Sequence, residues 1–178
     1  MNIKTFNLPT SLTLIRILII PLFLIKAPSN PQFGAFLFFI ASVTDFLDGY
    51  LARRFKQITK IGIILDPIAD KLLVITAVVV LVDLVRVPAW IATVIILREF
   101  MITTLRFYAL SKGVVIPAEK AGKAKTVMQM TSILLLLIAD EILGVDLYDV
   151  GIVLLYVSTF LAIYSAIGYV WHFWRNLK

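Results

Sequence analysis

Cysteine is absent, histidine occurs once, and only 16% of the side chains are charged. The first absence excludes disulfides, thiolate nucleophiles and cysteine-ligated metals, so any chemistry must rest on oxygen and nitrogen groups. The single His172 lies among Tyr169, Trp171, Phe173 and Trp174, an aromatic belt of the kind found at a membrane interface, and takes no chemical role. Scarce charge beside 61% hydrophobic side chains and a mean hydropathy of +0.98 excludes an aqueous globular fold. With no repeat of fixed period and no low-complexity tract, the 178 residues read as one domain.

What is present is a series of apolar runs. Breaks at charge, proline and glycine predict six transmembrane spans at roughly 8–25, 33–55, 61–82, 88–110, 121–143 and 150–174. The expectation is an all-α integral membrane protein, a six-transmembrane-helix bundle with short connections. The first run carries Arg16 in its middle and is followed by a poor small-residue cleavage site, so it reads as a span and not as a signal peptide. The loops after the second and fourth spans and both termini carry Lys4, Arg53, Arg54, Lys56, Lys60, Lys112, Lys120, Lys123, Lys125, Arg175 and Lys178, while the opposite side has only Lys26 and Arg86. That asymmetry places both termini in the cytoplasm of a cell whose inner membrane holds the chain. It also assigns the formal charge of +6 to lipid headgroups and an anionic substrate, with no nucleic-acid partner expected.

Acidic groups inside the spans demand a purpose, because a carboxylate in hydrocarbon is costly unless paired, wetted or coordinated. Asp45 and Asp48 are three apart near the cytoplasmic end of the second span, and Gly49 and Ala52 continue their face. Asp66 and Asp70 are four apart at the cytoplasmic start of the third, so an antiparallel pair brings all four acids to similar depth. Two divalent ions balance four carboxylates, and an all-oxygen donor set favours Mg²⁺, or Mn²⁺, over zinc. Two such ions side by side suit phosphoryl or phosphodiester displacement. The rival reading is that the acids pair with Arg16, Lys71, Arg98 or Arg106 as structural glue. Gly49 and Ala52 open a groove for a base or pyrophosphate, and Arg53 at its rim suits phosphate oxygens.

The spacing of Asp45, Asp48, Gly49, Ala52, Arg53, Gly62, Asp66 and Asp70 resembles the signature of the CDP-alcohol phosphatidyltransferases. The resemblance implies six transmembrane helices, a homodimer, two metal ions held by Asp45, Asp48, Asp66 and Asp70, and displacement of CMP from a CDP-linked lipid by an alcohol. It further implies that Asp70 takes the alcohol proton and that Gly49, Ala52 and Arg53 face the CDP moiety.

A second, basic cluster addresses the alcohol. Arg98 and Arg106 are eight apart on the fourth span, and Lys120, Lys123 and Lys125 open the fifth. Inward cations at that depth point to an anionic acceptor, with Glu99 a structural partner of Arg98. The runs 98–106 and 122–126, with 9–16 at the front, resemble the branch of the family that uses glycerol 3-phosphate. There the Arg98, Arg106 and Lys123 positions are implicated in holding the acceptor phosphate, and Lys120 joins them as a candidate. The expected reaction partners are therefore CDP-diacylglycerol and glycerol 3-phosphate. A different acceptor (inositol phosphate, serine or a lipid alcohol) is the nearest alternative, and a cation-coupled transporter a more distant one.

Overall fold

In the computed structural model the described backbone covers residues 8–55, 60–111, 120–142 and 144–176. It forms six helices, α1 (Leu8–Lys26), α2 (Pro31–Phe55), α3 (Lys60–Asp83), α4 (Ala89–Ser111), α5 (Lys120–Ile138) and α6 (Leu147–Asn176). Between α5 and α6 lies a two-residue ladder of β1 (Glu141–Ile142) and β2 (Val145–Asp146), paired antiparallel. The chain divides into two compact units, Met1–Leu84 and Val85–Lys178.

In the first unit α1 packs against both α2 and α3, and the contact of α2 with α3 is slighter. The turn into α2 is written locally. Asn30 Oδ1 accepts the Phe33 N–H at 3.0 Å, capping the helix start, and Pro31 fills a position whose missing N–H costs nothing. Helix α2 accordingly begins two residues ahead of the expected Phe33. Gly34 then comes so close to α1 that a Cβ there would sit 2.5 Å from Ala27 Cβ. Phe23 and Phe38 pack tilted with centroids 6.2 Å apart, and Ala41, Ala69, Leu73, Ala77 and Leu81 complete a buried core. Repeated alanine on α3 lets the backbones approach, as apolar bundles in lipid require.

In the second unit α6 packs against α4 and, more extensively, α5. Gly151 lies against Leu136, whose Cγ a Cβ would meet at 2.9 Å, and the buried Ser132 hydroxyl donates to the Gly151 carbonyl at 2.7 Å. Helix α5 stops at Ile138, short of the expected residue 143. Ala139 turns left-handed at φ 44°, and Arg86 Nη1 donates to the C-terminal carbonyls of Leu136 and Leu137 at 2.8 and 2.7 Å. A helix end sheds its last carbonyls onto such donors. The hairpin turns at Gly144 (φ 77°), and Asp146 Oδ1 caps α6 by accepting the Tyr148 N–H at 2.8 Å.

Among the described residues one stretch, Leu147–Trp171, is long and apolar enough by itself to cross a membrane, with hydropathy 2.1; Lys125–Ile138 is a shorter apolar stretch. Large apolar side chains stand exposed on every helix, among them Leu18, Phe36, Leu97, Phe160, Ile167 and Trp171. Exposed apolar surface on that scale suits a hydrocarbon solvent.

Candidate active site

The acidic signature falls in the first unit. Helix α2 supplies Asp45 and Asp48 one turn apart, with Gly49, Ala52 and Arg53 following, and α3 supplies Asp66 and Asp70 one turn apart. Asp45 and Asp70 have described side chains, both partly buried. The side chains of Asp48, Gly49, Ala52, Arg53 and Asp66 lie outside the described residues.

Helix α1 contributes a residue of its own to this region. Arg16 is fully buried, and its Nη1 lies 2.8 Å from Asp45 Oδ1, while the Asp45 side chain is 31% exposed. A guanidinium removed from solvent needs a counter-charge, and Asp45 supplies it. Ion pairing, the rival explanation for the acids, therefore holds for Asp45. The pair also fixes the carboxylate, turning Oδ1 toward α1 while about a third of the side chain stays exposed. Thr13, one turn before Arg16, is likewise fully buried.

The donor chemistry of these helices suits a hard divalent cation, since α2 and α3 offer carboxylates without thiolate or imidazole. Among the described residues no three Asp, Glu, His or Cys side chains converge, Asp48 and Asp66 being outside that set.

The basic candidates belong to the second unit. Arg98 pairs through Nη1 with Glu99 Oε1, the partner expected from sequence, and its Nε donates to the Ala162 carbonyl of α6 at a long 3.4 Å. The two side chains are 13% and 21% exposed. Arg98 is thus held in the seam of α4 and α6. Lys125 is buried, and the side chains of Arg106, Lys120 and Lys123 lie outside the described residues.

Two features of this unit leave little trace in the sequence. A groove of about 760 Å³ runs along α4 and α6, walled by Leu97, Met101, Ile163, Ile167 and Trp171, with Arg98 as its charged member. Its lining is apolar side chains within apolar runs, so no motif marks it. Beside Arg98 and Glu99, a smaller cavity of about 10 Å³ is lined also by Gln129 and Thr159. Gln129 lies two residues before Thr131-Ser132 and Thr159 directly follows Ser158, so neither is set apart from ordinary polar residues in its helix.

The comparisons with known proteins run across both units. The family model described as CDP-alcohol phosphatidyltransferase matches residues 6–166. A Bacillus subtilis (strain 168) protein named CDP-diacylglycerol--glycerol-3-phosphate 3-phosphatidyltransferase is 38% identical over 97% of this chain and 98% of its own length. A Rickettsia typhi protein of the same name is 39% identical over 92% of this chain and 94% of its own. A rice protein (Oryza sativa subsp. japonica) named Cardiolipin synthase (CMP-forming) is 37% identical over 98% of this chain but 59% of its own length.

Proposed function

This chain belongs to the CDP-alcohol phosphatidyltransferase family, and from that premise we propose that it transfers a phosphatidyl group from CDP-diacylglycerol to glycerol 3-phosphate, forming phosphatidylglycerophosphate and releasing CMP. The observation that carries the reading is the full-length likeness to the Bacillus subtilis relative, whose name specifies both substrates. The charge asymmetry of the loops, the apolar α6 and the apolar side chains exposed on all six helices support an integral protein of the inner membrane, six spans, both termini and the chemistry on the cytoplasmic side. A homodimer is part of the same proposal.

In this reading Asp45, Asp48, Asp66 and Asp70 hold two divalent ions, Mg²⁺ first, which when bound neutralise the pyrophosphate and polarise its oxygens. Arg16 keeps Asp45 in place by its buried ion pair. Gly49 and Ala52, without bulk on their helix face, admit the CDP moiety, and Arg53 binds its phosphates. Arg98, Arg106 and Lys123, with Lys120, hold the acceptor phosphate. The primary hydroxyl of glycerol 3-phosphate forms the new bond to the β-phosphorus, its proton passes to Asp70, and the bond from that phosphorus to CMP breaks. Fixed positioning and electrostatics carry the rate, with no covalent enzyme intermediate.

A second reading has its own support. The rice relative, as similar over nearly the whole chain, is named for a CMP-forming reaction that makes cardiolipin, so a lipid alcohol is the acceptor to set against glycerol 3-phosphate. The test is to supply the purified protein with Mg²⁺, CDP-diacylglycerol and one alcohol at a time, and to identify the lipid formed. Phosphatidylglycerophosphate formed only with glycerol 3-phosphate is the expected result, and cardiolipin formed from phosphatidylglycerol would replace the first reading by the second.

A further inference from the structure

The small cavity in the second unit joins three helices around Arg98. Helix α4 supplies Val94, Ile95 and the Arg98–Glu99 pair, α5 supplies Gln129, and α6 supplies Thr159, Ala162 and Ile163. Gln129 Nε2 and Thr159 Oγ1 are both buried, and neither meets a hydrogen-bond partner among the described residues. Thr159 as a whole is 6% exposed. Buried polar atoms are nearly always satisfied, so two orphans from different helices lining one cavity point to a shared partner. The cavity, about 10 Å³ open to the centre of a water-sized sphere, admits one water and no larger ligand. Polar partners enough for a water are present in Gln129, Thr159 and the Glu99 carboxylate.

Arg98 needs such support. Its guanidinium is tied by Glu99 on one side and by a stretched bond to the Ala162 carbonyl on the other, which uses two of its five N–H donors. Whatever bonds the Glu99 carboxylate therefore bears on the placement of Arg98. We infer that one bound water, held by Gln129 and Thr159, locks the Arg98–Glu99 pair, making Gln129 and Thr159 positioning residues for the guanidinium that grips the acceptor phosphate. This rests on the acceptor role proposed above for Arg98. Neither residue touches substrate; each acts through the water and Glu99. Donor lipid handling is untouched, so the effect falls on acceptor affinity alone.

The experiment is steady-state CMP release by the full-length protein in detergent, varying glycerol 3-phosphate and CDP-diacylglycerol separately. Thr159→Val removes the hydroxyl at constant shape and Gln129→Leu removes the amide. Each raises KM for glycerol 3-phosphate about three- to tenfold, while kcat and KM for CDP-diacylglycerol stay within about twofold. Because both act on one water, the double variant is no worse than either single, and Thr159→Ser restores the parent KM. An unchanged acceptor KM in both single variants overturns the inference, as do multiplied effects in the double variant or equal rises in both KM values. If Thr159→Val does not fold, Gln129→Leu and Thr159→Ser decide by the same criteria. Arg98→Ala separates the two levels. A raised acceptor KM there, with none in the Gln129 and Thr159 variants, sinks the water alone, whereas an unchanged KM in Arg98→Ala sinks the acceptor role and the water with it.

Discussion

Removing either end of the Arg16–Asp45 pair leaves a charge behind, and the two remnants differ in surroundings. Asp45→Asn takes a counter-charge from a guanidinium with 0% exposure, whereas Arg16→Met takes one from a carboxylate whose side chain is 31% exposed. Taking one partner from a fully buried ion pair costs about 3–5 kcal/mol, and partial solvation reduces the second case to about 1–2 kcal/mol. For a chain of this size each kcal/mol moves the unfolding midpoint by about 2–4 °C. Asp45→Asn should therefore melt about 6–12 °C or more below the parent, and Arg16→Met by about half of that or less. The double variant should recover part of the larger loss, because both charges of the pair are then gone. The measurement is far-UV circular dichroism during heating at one scan rate, in detergent and with chelator present, so that loss of bound cation does not contribute. The reasoning fails if Arg16→Met is the less stable single variant, or if the double variant loses the sum of the two.

Other outcomes follow from individual contacts. Asp70→Asn should lower CMP release about a hundredfold or more with the melting profile kept, and near-normal turnover would remove Asp70 as the proton acceptor. Exhaustive chelation should abolish product formation and Mg²⁺ should restore it; activity that survives chelation counts against the ion-holding role of the four aspartates. Gly34→Ala forces Ala27 away from a 2.5 Å encounter and should cost about 1–3 kcal/mol, seen as a lower melting midpoint. Arg86→Met releases the carbonyls of Leu136 and Leu137 and should cost about 1–3 kcal/mol, with faster amide exchange confined to the end of α5.

Much of this architecture was readable before any coordinates, and what escaped shares a cause. Apolar runs located all six helices because composition alone separates them from the charged connections. Their ends were harder. Hydropathy does not register that Asn30 caps α2 early, or that Arg86 reaches fifty residues along the chain to close α5. The aspartates announced themselves through charge in the wrong solvent. Arg16 was among four possible partners for them, and the choice of Asp45 is a tertiary fact that periodicity cannot supply. Glu99 was legible as the companion of Arg98 because they are adjacent. Gln129 and Thr159 were not, since an amide or hydroxyl in a largely apolar helix has many innocuous explanations until its neighbours are known.

The Ser132 to Gly151 hydrogen bond spans nineteen residues, closed by the end of α5, a tight hairpin and the first turn of α6. So short a loop costs little entropy to close. Helices α5 and α6 can therefore find their mutual register without guidance from the helices before them. They zip together as a prefabricated piece.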